Sequence, residues 1–147
     1  MAGEYPGSPD PDESAETLRR LEAAGIGVFV DLTEAGELEP YAQLLRDARH
    51  ERRAISDRGT APAETYREIL DLVDDAIGRN EGVYLHCLAG VGRTGTVVGC
   101  WLARHGLDDG DVLERIALLR RSLPSSWQRS PETAAQVEIV RGWGLGD

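Results

Sequence analysis

A chain of 147 residues, 41% of them hydrophobic, has room for one core that buries roughly 68–70% of the unfolded surface. Its net charge of −10, from 26 acidic against 16 basic residues, disfavours nucleic acid and anionic membranes as partners. No apolar window is long enough for a membrane span, the acidic, proline-rich start is unlike a targeting segment, and two cysteines fit a reducing, cytoplasmic setting.

The predicted elements alternate. Residues 1–11 carry Pro6, Pro9 and Pro11 and read as an irregular lead segment, with a short edge strand near Tyr5. Ser14 to Ala24 places Leu18, Leu21 and Ala24 on one face, so a helix is expected there with Gly25 as its stop. Gly27 to Thr33 is the apolar run of a buried strand. Pro40 to Arg49 is expected as a short helix and Arg52 to Ser56 as a second strand. From Pro62 to Arg79, Ile69, Leu72, Val73 and Ile77 recur at helical spacing. Gly82 to His86 is the central strand, followed by a buried helix from Thr94 to His105 and an amphipathic one from Asp108 to Arg121. The last helix is expected from Pro131 to about Gly142, with Ser130 as cap and Pro131 in the first helical position. Short connections between strands and helices predict a single α/β domain over 1–147, with a mostly parallel central sheet flanked by helices on both faces.

The run His86-Cys-Leu-Ala-Gly-Val-Gly-Arg-Thr-Gly95 joins the central strand to the buried helix. A thiol is mostly protonated at neutral pH, so a nucleophilic cysteine needs positive potential around it. At the end of a strand, Cys87 would face the amide-rich start of the next helix. Gly90 and Gly92 let the backbone of Leu88, Ala89, Gly90, Val91 and Gly92 close into an anion nest, and Arg93 adds a two-pronged grip on phosphate oxygens. Thr94 brings a hydroxyl near the sulfur, where it would ease departure of the thiolate. Strand alternation turns His86 away from Cys87, as an orienting residue rather than a base. Cys100, in an apolar run, reads as a core filler. His50, His86 and His105 lack ligand-like spacing, and neither metal nor cofactor is called for.

This run resembles the signature loop of the cysteine-dependent protein tyrosine and dual-specificity phosphatases, His-Cys-x5-Arg-Thr-Gly, and the short chain is most similar to small bacterial-type members. The resemblance implies a phosphatase-like fold and a cysteinyl-phosphate mechanism. It also assigns the general acid to Asp57, 30 residues before Cys87, with Asp31, Asp47 and Asp71 as competing carboxylates. Ser130-Pro-Glu-Thr-Ala-Ala-Gln136 resembles the segment whose glutamine helps to place the hydrolytic water. Ile55-Ser56 stands where many tyrosine-specific members have Trp-Pro, and Leu88 where serine is common. Arg58 and Arg129 are candidates for contacts with the substrate's flanks.

The expected substrate is a phosphorylated protein, carrying phosphotyrosine, with phosphoserine and phosphothreonine as further candidates, handled by a monomer. The alternatives are a small-molecule phosphomonoesterase on the same chemistry and a phospho-binding module of weak turnover. An uncharged loop interior disfavours highly phosphorylated or membrane-bound substrates. Tyr5, Phe29, Tyr41, Tyr66 and Trp127 are the aromatics available to line the mouth.

Overall fold

A computed structural model describes residues 1–107 and 109–147. Four strands form one sheet in the order β1-β4-β2-β3: β1 (Ala2–Gly3), β2 (Ile26–Asp31), β3 (Arg49–Arg52) and β4 (Gly82–His86). All three pairings are parallel, and the register sets Gly3 and Asp31 beside His86, with Arg52 beside Asp31. Strand ends thus align at one carboxyl edge, where ligands meet open parallel sheets. The helices are α1 (Pro11–Ala23), α2 (Ala63–Gly78), α3 (Gly92–Arg104), α4 (Asp109–Arg120) and α5 (Ala134–Arg141). The expected start of the fourth helix, Asp108, lies outside the described residues.

Side-chain alternation divides the core in two. Val28, Val30, Val83, Leu85 and Cys87 pack with residues of α2 and α3 such as Ile69, Leu70, Val97 and Cys100. Phe29 and Tyr84 point to the other face, against Leu18 of α1 and Tyr41. Helices therefore cover both faces of the sheet.

Five expectations need correction. The lead strand is Ala2–Gly3 rather than near Tyr5, and α1 starts three residues early because Asp10 caps it, accepting from the Asp12 N–H at 2.9 Å, with Pro11 at the first turn. Residues 40–49 do not form a helix beyond a 3-10 turn at Ala42–Leu44. One oxygen of Glu22 accepts from the N–H groups of Arg46, Asp47 and Ala48, each at 3.0 Å, which bends that backbone around a carboxylate instead. The next strand accordingly lies at Arg49–Arg52, upstream of the expected Arg52–Ser56. Finally, Thr133 rather than Ser130 caps α5, in a reciprocal box with Gln136.

On α2 the buried stripe is Tyr66, Ile69, Leu70 and Ala76, whereas Ile77 is half exposed at 51%.

Candidate active site

Cys87 leaves β4 on the α2/α3 side, 3% exposed, while His86 lies fully buried on the α1 side. The His86 Nδ1 is 3.1 Å from the Cys87 carbonyl, which can only accept, so Nδ1 carries the proton. Nε2 then accepts from the Tyr41 hydroxyl at 2.6 Å. Burial holds the imidazole below its usual pKa, in keeping with this neutral tautomer, although Asp31 acts in the opposite sense. His86 thereby fixes the strand end that presents the thiol.

Three anchors shape the loop beyond Cys87. The Tyr5 N–H donates to the Leu88 carbonyl at 2.9 Å, Arg120 Nη1 to the Gly90 carbonyl at 2.8 Å, and Ser130 Oγ to the Val91 carbonyl at 2.7 Å. Each carbonyl shares a rigid trans plane with the next N–H. Holding the carbonyls from outside turns the N–H groups of Ala89, Val91 and Gly92 to the loop's inner side, which makes an anion nest. Gly90 sits at φ +66°, and a Cβ there would run into the backbone of Gly3. Thr94 Oγ1 lies 3.1 Å from Cys87 Sγ, in the first turn of α3.

Arg93 is 2% exposed, and its guanidinium is the hub of the site. Nη1 and Nη2 bond the two oxygens of Glu37 at 2.8 and 2.6 Å, Nη2 also bonds Asp57 Oδ1 at 3.1 Å, and Nη1 bonds the Ile55 carbonyl at 3.0 Å. Hydrogen bonds from Arg93 hold the Glu37 carboxyl below its usual pKa. Burial alone would lower the pKa of Arg93, but Glu37 raises it, so the cation is secure. Nε has no hydrogen-bond partner among the described residues.

Asp57 is thus brought to the signature loop, and its competitors are not. Asp31 is 1% exposed and is engaged by Thr33, His50 and Arg52. Burial would raise its pKa, but those donors hold it far below the usual range. Asp71 pairs with Arg104 at 2.7 Å, and Asp47 is exposed near α1. Gln136 is fully buried: its oxygen accepts from the N–H groups of Glu132 and Thr133, and Nε2 donates to the Gly59 carbonyl at 3.0 Å. It ties α5 to the loop that carries Asp57.

Arg58 is 67% exposed and pairs with Glu132 at 3.0 Å on the rim. Of the candidate aromatics, Phe29, Tyr41 and Tyr66 are core residues, Tyr5 is partly buried with its hydroxyl on the Glu39 carbonyl, and Trp127 is 82% exposed. Cys100 is buried, which pushes its thiol up to about 12, and neither cysteine is in a disulfide. Among the described residues no cluster of His, Cys, Asp or Glu could hold a metal, and no helix is long and apolar enough to cross a membrane.

Glu37 and Arg120 are not among the residues expected at the site, and Tyr41, expected only as an aromatic at the mouth, instead bonds His86. Glu37 stands in an acidic turn that carries no motif, and Arg120 and Tyr41 reach the loop only through the fold.

An anion nest around a thiol, with a buried guanidinium and a carboxylate beside it, suits attack on a tetrahedral phosphate ester. Residues 6–107 match the family described as Tc-R-P: Polymorphic toxin system, DSP-PTPase phosphatase. The chain belongs to this family. The phosphatase is 41% identical over 69 residues to the mouse (Mus musculus) dual specificity protein phosphatase CDC14B, covering 46% of this chain and 13% of that one. It is 30% identical over 99 residues to the human (Homo sapiens) dual specificity protein phosphatase 9, covering 67% of this chain and 24% of the relative. The chain therefore spans less than a quarter of the length of either relative. The crystal structure of Tk-PTP in its active form superposes with a TM-score of 0.74 at 25% identity, covering 95% of this chain and 93% of that one. Kinase associated phosphatase, with its catalytic-site cysteine replaced by serine, shares the fold at TM-score 0.77 and 19% identity, covering 95% and 82%. The chain's sequence is accordingly of the dual-specificity and tyrosine phosphatase kind over the matched residues.

Proposed function

We propose that the phosphatase hydrolyses phosphate monoesters on proteins through a cysteinyl-phosphate. The observation that supports this reading is the 3.1 Å bond from Arg93 to Asp57, because it brings a carboxyl group to the same cradle as Cys87. The Cys87 thiolate attacks phosphorus in line, while Arg93 and the N–H groups of Ala89, Val91 and Gly92 hold the non-bridging oxygens. Both Nη2 hydrogens are engaged in the free enzyme, by Glu37 and Asp57. An arriving phosphate oxygen takes the place of Asp57, which is released from the guanidinium, takes up a proton from solvent, and passes it to the leaving oxygen as the phosphorus–oxygen bond breaks.

In the second step Asp57 takes a proton from water, the water oxygen bonds phosphorus, and the sulfur–phosphorus bond breaks. Thr94 Oγ1 donates to the departing thiolate. Gln136 lies against Gly92, as a Cβ there would come 3.0 Å from its oxygen, which supports a role for its second Nε2 hydrogen in orienting that water.

The rim supports a protein substrate over a polyanion. Glu34, Glu37, Asp57 and Glu132 gather near Arg93 and the Asp57 loop, and these four carboxylates outnumber the two arginines paired with them, Arg93 and Arg58. Such a rim attracts basic residues beside a phosphorylated side chain and repels several phosphates at once. Turnover of phosphotyrosyl peptides with and without flanking arginines, against inositol polyphosphates, tests this. Higher kcat/KM for the basic peptides is expected; preference for inositol polyphosphates would overturn the protein assignment.

A further inference from the structure

A second cavity lies behind the signature loop, on the side away from the carboxylate rim. It is a groove of about 970 Å³ between the β1 edge, α2, α3 and α4, within the size range of small-molecule sites. Its walls are chiefly apolar, with Val73 and Ile77 from α2, Val98 and Trp101 from α3, and Leu119 from α4. Ile77, Leu119 and Leu123, all lining the groove, are exposed at 51%, 53% and 42%, a contiguous apolar surface of the kind that marks a binding site.

One end of the groove is different. Arg120 lines it there, 8% exposed, with Ser125 and Ser130. Its Nη atoms bond only neutral groups, the carbonyls of Gly90 and Ser125 and the Ser125 hydroxyl. Its Nε–H is buried with no hydrogen-bond partner, and no carboxylate pairs with it among the described residues. A buried cation with an unused donor is costly unless something completes it. The lining also holds Glu4, Glu81, which is paired with Arg49 at 2.5 Å, and the Met1 ammonium, which donates to the Val83 carbonyl at 2.7 Å.

We infer that this groove is a second ligand site, for an anionic amphiphile whose carboxylate accepts from Arg120 Nε and whose apolar body lies along Val73, Val98, Trp101 and Leu119. Charge complementarity fixes the orientation, since the anion belongs at the Arg120 end and the tail runs toward the α2 wall. The site does not depend on the chemistry proposed for Cys87. Because Arg120 also holds the Gly90 carbonyl, occupancy is placed to act on the loop from behind.

The test is direct binding of decanoate to the intact chain, below the micellar range and with inorganic phosphate at saturation to occupy the cradle. It is followed by Trp fluorescence and by backbone amide shifts, and neither readout needs turnover. Saturable binding is expected, with shifts at Val98, Trp101 and Leu119, and decanol should bind about tenfold more weakly because it lacks the charge. Leu119→Glu, at a half-exposed position, should weaken decanoate at least tenfold and leave aryl phosphate hydrolysis unchanged. Three outcomes would overturn the site: no saturable binding, decanol or decyltrimethylammonium binding as tightly as decanoate, or indifference to Leu119→Glu in a variant whose amide spectrum shows it folded. Loss of hydrolysis in the parent chain would count against the phosphatase mechanism alone.

Discussion

Glu37 and Arg93 face each other with both carboxylate oxygens on both terminal guanidinium nitrogens, at 2.6 and 2.8 Å. The pair leaves the Nε–Nη2 edge of the guanidinium free of Glu37, and Asp57 bonds Nη2 on that edge. Glu37→Ala removes the pair and leaves a buried cation half-satisfied. It should lower kcat/KM by about 10-fold to 100-fold and destabilise the fold by about 1–3 kcal/mol. Glu37→Gln, which keeps one acceptor, should lose less of both. Steady-state kinetics and denaturant unfolding check this, and parental kcat/KM in Glu37→Ala would show that Arg93 needs no alignment.

Asp57→Asn keeps an acceptor for Arg93 but cannot donate the acid's proton. It should lower kcat by roughly 10²–10⁴, more for phosphoserine peptides than for activated phenyl phosphates, whose leaving groups depart with little protonation. The basic limb of the pH profile of kcat/KM should vanish with it. Equal losses on good and poor leaving groups, with that limb retained, would move the acid elsewhere. Asp31, locked to Thr33, His50 and Arg52, is no candidate for the role.

Thr94→Val removes the hydroxyl that lies 3.1 Å from the sulfur without changing the side chain's shape. Thiolate departure is then slowed relative to attack. Rapid mixing with an aryl phosphate should show a burst of phenol followed by slow turnover, whereas the parent shows a smaller burst or none. A uniform slowing of both phases would place Thr94 outside the second step.

Acid sensitivity follows from two buried groups. Burial lowers the pKa of His86, so the folded state prefers the neutral ring; its stabilisation is full above the unfolded value of 6.5 and declines as pH falls below it. The donors around Asp31 lower its pKa as well, so its contribution is full above 3.8 and is lost progressively below that. The thermal midpoint should therefore fall in two stages between pH 7.5 and 3. His86→Gln, which cannot take up a proton, should flatten the upper stage while leaving the lower one. A His86→Gln midpoint that falls as steeply as the parent's between pH 6.5 and 5 would contradict the first assignment.

The parts legible in sequence were those set by local pattern. Gly82 to His86 is a strand with the expected bounds, and the glycines and Arg93 mark the loop that follows. The layout of sheet and flanking helices also followed from the alternation of apolar runs. What pattern alone could not supply came from long-range partners. Residues 46–48 carry no signal of the Glu22 carboxylate that bends them, 24 to 26 positions away. Glu37 meets Arg93 across 56 positions, and Arg120 meets Gly90 across 30. Ser130 has the composition of a cap, yet its hydroxyl serves the Val91 carbonyl, so the cap passes to Thr133.

The central claim is a covalent bond between Cys87 and phosphorus, and the most direct measurement is a rapid acid quench during turnover of an aryl phosphate, followed by peptide mass spectrometry. The account predicts a gain of one phosphoryl group on the peptide carrying Cys87, increased in Thr94→Val and absent in Cys87→Ser, which should also be inactive while still binding vanadate. Aryl phosphate turnover in Cys87→Ser within tenfold of the parent, or a phosphoryl group found on another residue, would contradict it.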